Sequence, residues 1–215
     1  MPRNDLGLRR DAAANRQKVL DAATELFRRN GVDASLEDVA KQAGVGIGTL
    51  YRRFPTRAEL IAAVYEPAME LWASSVDSAL GLSDPCIGLK KVLAGLFELQ
   101  FAYRGFADVM TMPFPLSPEF EAMRMRGVEG MRILTQQAKK AGCLRTDYSP
   151  RDLLIFMMAN AGVVDAGGDV AMKSSRRLLA YLFRSILVHP QKKLPPAPEL
   201  AEVIDAMRRL HPLTS

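Results

Sequence analysis

Residues 35–57 read Ser35-Leu-Glu-Asp-Val-Ala-Lys-Gln-Ala-Gly44-Val-Gly-Ile-Gly-Thr-Leu-Tyr-Arg-Arg-Phe54-Pro-Thr-Arg57. Leu36, Val39, Ala40 and Ala43 recur at spacings of three and four, the mark of one buried helix face. Ser35 stands where a helix cap belongs, with Asp38 three residues on as the reciprocal partner of a capping box. Gly44 supplies a turn in which a side chain would be costly at positive φ. A second short helix is expected from about Gly46 to Phe54, with Leu50 and Phe54 facing inward, and Pro55 ends it. Two short helices around a glycine turn, the second with a free polar face, make the pattern of a helix-turn-helix, whose second helix enters the major groove of DNA.

Working outward, Val19, Leu20, Ala23, Leu26 and Phe27 line one face of a helix over 13–30, and Gly31 can end it. Residues 1–12, with Arg3, Arg9 and Arg10, read as a flexible basic arm. Thr56 and Glu59 form a further capping box that opens a helix to about Leu80, roughly 36 Å long at 1.5 Å per residue. Beyond it, helices are expected over 84–103, 107–112, 117–141, 149–164, 170–188 and 199–210. The breaks between them are the loop 112–118, Gly167-Gly168 and the proline-rich 190–198. No period-2 strand is evident. The expected fold is all-α: a three-helix DNA-binding domain over 13–60 and a helical body over 61–215.

Composition narrows the classes. The chain of 215 residues is 48% hydrophobic and 25% charged, as ordinary soluble proteins are. Its net charge is +5, and residues 1–60 alone hold 11 basic against 8 acidic side chains. That N-terminal bias fits a nucleic-acid partner. Cys86 and Cys143 form no C-x-x-C pattern, so two reduced thiols in a cytosolic protein are expected. The two histidines, His189 and His211, have no metal-spaced partner and read as structural or solvent-exposed. The first ten residues carry no apolar signal core, and no apolar run is long enough for a membrane span. Nucleophile elbow, Walker loop and dinucleotide fingerprint are all missing. Neither an enzyme nor a cofactor nor a metal is expected.

With these features in place, a family resemblance can be stated. Residues 15–27, Asn-Arg-Gln-Lys-Val-Leu-Asp-Ala-Ala-Thr-Glu-Leu-Phe, are followed by Gly31-Val32, Leu36 to Ala40, Ala43-Gly-Val45 and Gly48-Thr-Leu-Tyr51 to Phe54. This run resembles the N-terminal domain of TetR-family transcriptional regulators over about residues 12–65. Many members carry His before the closing Phe, where this chain has Arg53. The resemblance implies a homodimeric repressor that binds operator DNA and is released by a small molecule held in the C-terminal body. A regulator with no small-molecule effector, or a helical ligand-binding protein with a vestigial helix-turn-helix, remain as alternatives.

The residues expected at DNA follow from that geometry. Gly46, Ile47, Gly48 and Thr49 open the reading helix, where base edges come within reach. Ile47 suits a thymine methyl, and Thr49 a methyl, a base or a phosphate. Tyr51 suits a phosphate oxygen, beside a positive cluster of Arg52, Arg53 and Arg57. Ser35 and Thr56 cap helices whose N-termini also present N–H groups to phosphate. In the body, Phe97, Phe101, Met110, Phe120, Met123, Met131 and Met157, with Asn160 among them, are candidates to line an apolar or amphipathic ligand's cavity. The helices near 151–164 and 172–188 match those that pair across a two-fold axis in the family.

Overall fold

The computed structural model describes residues 3–112, 115–166, 168–187 and 200–201, with side chains from residue 13 onward. The described residues form nine α-helices: α1 (Arg3–Asn30), α2 (Leu36–Ala43), α3 (Ile47–Arg53), α4 (Arg57–Leu80), α5 (Pro85–Ala102), α6 (Phe106–Met110), α7 (Pro118–Lys140), α8 (Asp152–Ala166) and α9 (Ala171–Ile186). A short 3-10 turn, Gly168–Val170, precedes α9. The only β-bridge among these residues is an isolated one between Leu144 and Leu187. The all-α expectation holds. His189, His211 and the proline-rich 190–198 lie outside the described residues, as does all of the expected helix 199–210 except 200–201.

The start signals act locally as their chemistry requires. Ser35, Thr56, Asp84 and Ser117 each accept a hydrogen bond from a backbone N–H in the first turn of the helix that follows. Pro85 and Pro118 occupy the first helical positions, where a missing N–H costs nothing. Ser35 makes a further contact. Its hydroxyl accepts from the Asp38 N–H at 3.3 Å as expected and also donates to Glu37 at 2.8 Å. That bond holds the Glu37 carboxyl below its ordinary range.

Two expectations are corrected. The stretch 3–12 is not a separate arm, because its backbone continues α1 from Arg3. Nucleation is the costly step of helix formation, and the packed part of α1 has already met that cost, so Arg, Leu and Ala residues extend it. The cysteines are not two free thiols: Cys86 and Cys143 form a disulfide between the start of α5 and the turn after α7. Their 57-residue separation hides that proximity in the sequence.

The core is continuous from Val19 on α1 to Ile186 on α9. α4 threads it. Near its start the ring of Tyr65 stacks on Phe27 of α1, with centroids 6.4 Å apart. Further along, Trp72 and Val76 press against α7 so closely that a Cβ added at Gly127 would lie 2.2 Å from the Trp72 ring. The core runs on through residues 60–61 of α4. α4 even continues through Pro67, which is exposed. Burial of Val64, Tyr65, Ala68 and Met69 around it outweighs the roughly 3 kcal/mol that proline costs inside a helix.

Candidate nucleic-acid interface

α2 packs inward through Leu36, Val39, Ala40 and Ala43, all buried. Gly44 then takes φ 67°, a left-handed conformation that only glycine adopts without strain. The N–H of Val45 donates to the Ala40 carbonyl at 3.0 Å and closes the turn. Gly46, in extended geometry, starts α3.

α3 gives almost nothing to the core. Of its seven residues only Leu50 is buried, with Phe54 buried immediately after it. Ile47 and Tyr51 are large apolar side chains left 39% and 44% exposed, and Gly48, Arg52 and Arg53 are exposed beside them. Exposing apolar rings and methyls on so short a helix opposes folding, which points to a partner surface. A Cβ built on Gly46 or Gly48 would meet nothing within 4 Å. Packing within the protein therefore does not require glycine at either position. What these glycines leave free is space for the close approach of something else.

The charge of this surface is positive. α3 carries no carboxylate and ends in Arg52 and Arg53. Arg16 adds to it from α1, its guanidinium 5.3 Å from the centroid of the Phe54 ring. Sequence reasoning missed Arg16. α1 and α3 are linked only through the tertiary fold, so no local pattern could have marked it. Thr49 is half-buried and accepts a long hydrogen bond of 3.4 Å from Arg52.

Three of the expected DNA residues have structural occupations. Arg57 is half-buried and donates to the carbonyls of Val32 and Ala34 at 3.0 and 2.8 Å. An arginine at the first position of α4 opposes the helix dipole, and these two carbonyls give the charge a better partner. Ser35 and Thr56 hold helix starts, with their hydroxyls engaged by Glu37 and Glu59. The fold brings Gly46, Ile47, Gly48, Tyr51, Arg52 and Arg53 together on one exposed face and sets Arg57 behind it.

The same region is tied to the body. The Tyr65 hydroxyl of α4 donates to the Arg104 carbonyl at the end of α5. Burial, helped by Asp108 and Asp165, pushes its phenol well above the ordinary value, so it stays a neutral donor. The Arg104 side chain donates to the Val164 and Asp165 carbonyls at 2.6 and 3.2 Å, capping the C-terminal end of α8. Asn160 of α8 donates to Gln100 of α5 at 3.0 Å and accepts from Ser175 of α9 at 2.6 Å, joining the three helices.

The expected ligand residues differ in their burial. Met110, Phe120, Met131 and Met157 are buried in the packed core, Met123 packs at its edge and Phe101 is 37% exposed. Asn160 is fully buried within its hydrogen bonds. Phe97 borders an open apolar cleft of about 240 Å³, whose other walls include Phe156, Ala159, Leu178, Tyr181 and Leu182. Among the described residues no three His, Cys, Asp or Glu side chains are placed to hold a metal, and no helix is long and apolar enough to cross a membrane.

Comparison with known proteins places this face in context. A family model described as bacterial regulatory proteins, tetR family, matches residues 19–64, which span the end of α1 through the start of α4. A helix-turn-helix-type transcriptional regulator of Staphylococcus aureus strain USA300 is 36% identical over 66 residues, covering 30% of this chain and 36% of that protein. The match thus spans little more than a third of the length of such curated relatives. A TetR transcriptional regulator of Streptomyces coelicolor is 30% identical, with 80% of this chain and 98% of that one covered, at a TM-score of 0.49. The regulator FadR of Bacillus subtilis, solved in complex with stearoyl-CoA, is 17% identical over 80% of this chain and 99% of its own, at a TM-score of 0.54. That last likeness is one of fold alone.

Proposed function

The chain belongs to the TetR family of bacterial regulatory proteins, and from that premise we propose that it is a homodimeric, sequence-specific DNA-binding regulator of transcription, acting as a repressor in the cytoplasm. The observation that carries this reading is α3: a helix with one residue in the core, no carboxylate, and an open face of Ile47, Gly48, Tyr51, Arg52 and Arg53. In this reading Gly46 to Thr49 read base edges in the major groove, while Tyr51, Arg52 and Arg53 grip phosphate. Arg16 joins the phosphate set from α1. Ser35 and Thr56 contribute through the N–H groups of the helix starts they cap. Arg57 is assigned to holding the turn between α1 and α2.

One recognition helix reads few base pairs, so two copies are needed for useful specificity. α8 is suited to pairing because it is largely apolar: Leu153, Met157 and Val164 face the core, and Ile155 and Ala159 stay exposed. α9 contributes Tyr181 next to them, 52% exposed.

The effector in this reading is a small apolar or amphipathic molecule held in the C-terminal body beside α8. The stearoyl-CoA bound by the Bacillus subtilis regulator makes an acyl or similarly apolar ligand the first class to try. Such a ligand releases DNA only by binding one arrangement of the two subunits more tightly than the other. Tyr65, Arg104 and the end of α8 form a continuous hydrogen-bonded route from that region to α4.

The test is a footprint with the full-length protein on the DNA upstream of its own coding region, followed by titration with acyl compounds. Protection of two half-sites about one helical turn or more apart, lost on adding ligand, is the expected result. A failure to retard any fragment of that region at low salt would refute the DNA-binding reading. Protection that no apolar compound relieves would leave a regulator without a small-molecule effector.

A further inference from the structure

The Cys86–Cys143 disulfide sits at a mechanical joint. Cys86 lies in the first turn of α5, where its N–H donates to the capping Asp84 carboxylate at 2.8 Å. At Gly88, half a turn on, an added Cβ would lie 2.9 Å from the Ala79 carbonyl, so this turn is pressed against the end of α4. Cys143 lies in the turn after α7. The next residues dock on the end of α9: Leu144 pairs with Leu187, and the Arg145 N–H donates to the Ile186 carbonyl at 3.1 Å. The same segment then leads into α8. One covalent bond therefore fastens the α4–α5 corner to the frame of α8 and α9.

The bond's surroundings favour exchange. Both cysteines are only half-buried, and their Cα atoms stand 6.0 Å apart, an ordinary spacing for a disulfide that needs no backbone shift. The Asp84 carboxylate takes up the Cys86 and Ile87 N–H groups at 2.8 and 3.2 Å and opposes an anionic sulfur at Cys86, so support for the thiolate, the form that attacks, comes from basic side chains instead. Exposed Lys90 and Lys91 on α5 and exposed Lys140 at the end of α7 add positive charge on either side. A 215-residue chain with a continuous core has no need of a covalent staple. In a compartment that holds chromosomal DNA, thiols are kept reduced, and disulfides there act as transient sensors.

We propose that Cys86 and Cys143 are a reversible thiol–disulfide site that senses a peroxide and, by fastening or freeing the α4–α5 corner, changes affinity for DNA. The affinity change rests on the function proposed above. With hydrogen peroxide as oxidant, the Cys86 thiolate attacks one peroxide oxygen, the O–O bond breaks, and hydroxide leaves as Cys86 becomes the sulfenic acid. The Cys143 thiolate then attacks that sulfur, the S–O bond breaks, and the S–S bond forms. The departing hydroxides take up the two thiol protons. Two thiols and one hydrogen peroxide thus give one disulfide and two waters. A cellular dithiol reverses the step by two exchanges, ending as a disulfide itself.

The experiment uses the full-length wild type, fully reduced or treated with hydrogen peroxide, and a C86S/C143S variant. Alkylation followed by mass measurement counts free thiols. Mobility shift on the DNA upstream of the coding region measures affinity. Amide hydrogen exchange reports the corner at 79–88 and the turn at 141–145. The expected result is two alkylated thiols in the reduced protein and none in the oxidised one, with reversal by a dithiol. Affinity should differ at least about fivefold between the two states, the lower end of ordinary coupling between sites. The variant should be indifferent to peroxide. The proposal falls if peroxide leaves both thiols free, if a dithiol cannot reopen the bond in the folded protein, or if the two states bind DNA equally. Should no form bind DNA, the regulator reading fails instead. The sensor is then judged on thiol counts and exchange: slowed exchange at both segments on oxidation upholds it, and unchanged exchange overturns it.

Discussion

Gly48 separates stability from function more cleanly than any other residue of α3. A methyl group there meets nothing within 4 Å, and alanine favours a helix over glycine by about 1 kcal/mol. G48A is therefore expected to raise the melting temperature by a few degrees and yet weaken binding to the operator. If binding is unaffected, the glycine is not there for DNA. The two arginine environments make a second contrast. R53A should leave stability within about 0.5 kcal/mol and lower the salt dependence of binding by about one unit of slope. R57A should instead lower the unfolding midpoint, by about 1–3 kcal/mol, because it strands two carbonyls at the α1–α2 turn. Urea unfolding and binding at several salt concentrations distinguish the two. Nothing local in Thr56-Arg57-Ala58 announces this division of labour. Both arginines stand beside a recognition helix in the sequence, and only the position of the Val32 and Ala34 carbonyls sets them apart.

The buried phenols give a pH dependence with a definite sign. Burial raises Tyr65 and Tyr148 above the ordinary 10, with Asp108 and Asp165 adding to the first and Asp152 to the second. The folded state thus favours the neutral phenol more than the unfolded chain does. Their contribution is complete below about pH 10 and is lost as pH rises beyond it, at up to about 1.4 kcal/mol per pH unit for each phenol. Thermal unfolding between pH 9 and 11.5 should show that decline, with a shallower slope in Y65F. An equal slope in the variant would mean that Tyr65 reaches solvent in the folded protein.

At the scale of elements, the crossing of α4 and α7 decides the shape of the body. α7 approaches so closely that Gly127 lies over the Trp72 ring and Gly130 over Val76. G127A would drive a methyl into that ring, and overpacking of this kind costs about 1–3 kcal/mol. A fall in the urea midpoint of that size is expected, with DNA binding retained by the protein that stays folded; no change would mean that the helices can part at this crossing. The individual helices were legible from their caps and periodicity. Ser35, Thr56, Asp84-Pro85 and Ser117-Pro118 each mark a start through bonds within one turn, so neighbouring residues are enough to reveal them. Which helix faces pack together was not legible, because apolar stripes on α4, α5 and α7 are alike and any could serve any other. The continuation of α1 to Arg3 was missed for a related reason. A stretch without apolar periodicity reads as an arm, although extending an existing helix needs no periodicity.

For the molecule as a whole, the proposed pairing of two copies can be tested at α8. Ile155 is 38% exposed on a helix with few polar residues, and I155D would place a charge in any paired surface. Sedimentation should show monomers at concentrations where the wild type is dimeric, with operator binding weakened in parallel. A variant that remains dimeric would move the pairing surface away from α8.

Sequence alone determined the all-α class, the capped starts of α2, α4, α5 and α7, and the α2–Gly44–α3 turn. Each of these depends on interactions within a few residues: a cap, a glycine in left-handed geometry, two apolar residues four apart. Tertiary structure decided what distant residues do to one another. It set Arg16 on Phe54, withdrew Arg57 to the α1–α2 turn and joined Cys86 to Cys143. Those outcomes depend on how helices with interchangeable apolar faces settle against each other, and that is a property of the whole core rather than of any stretch of chain.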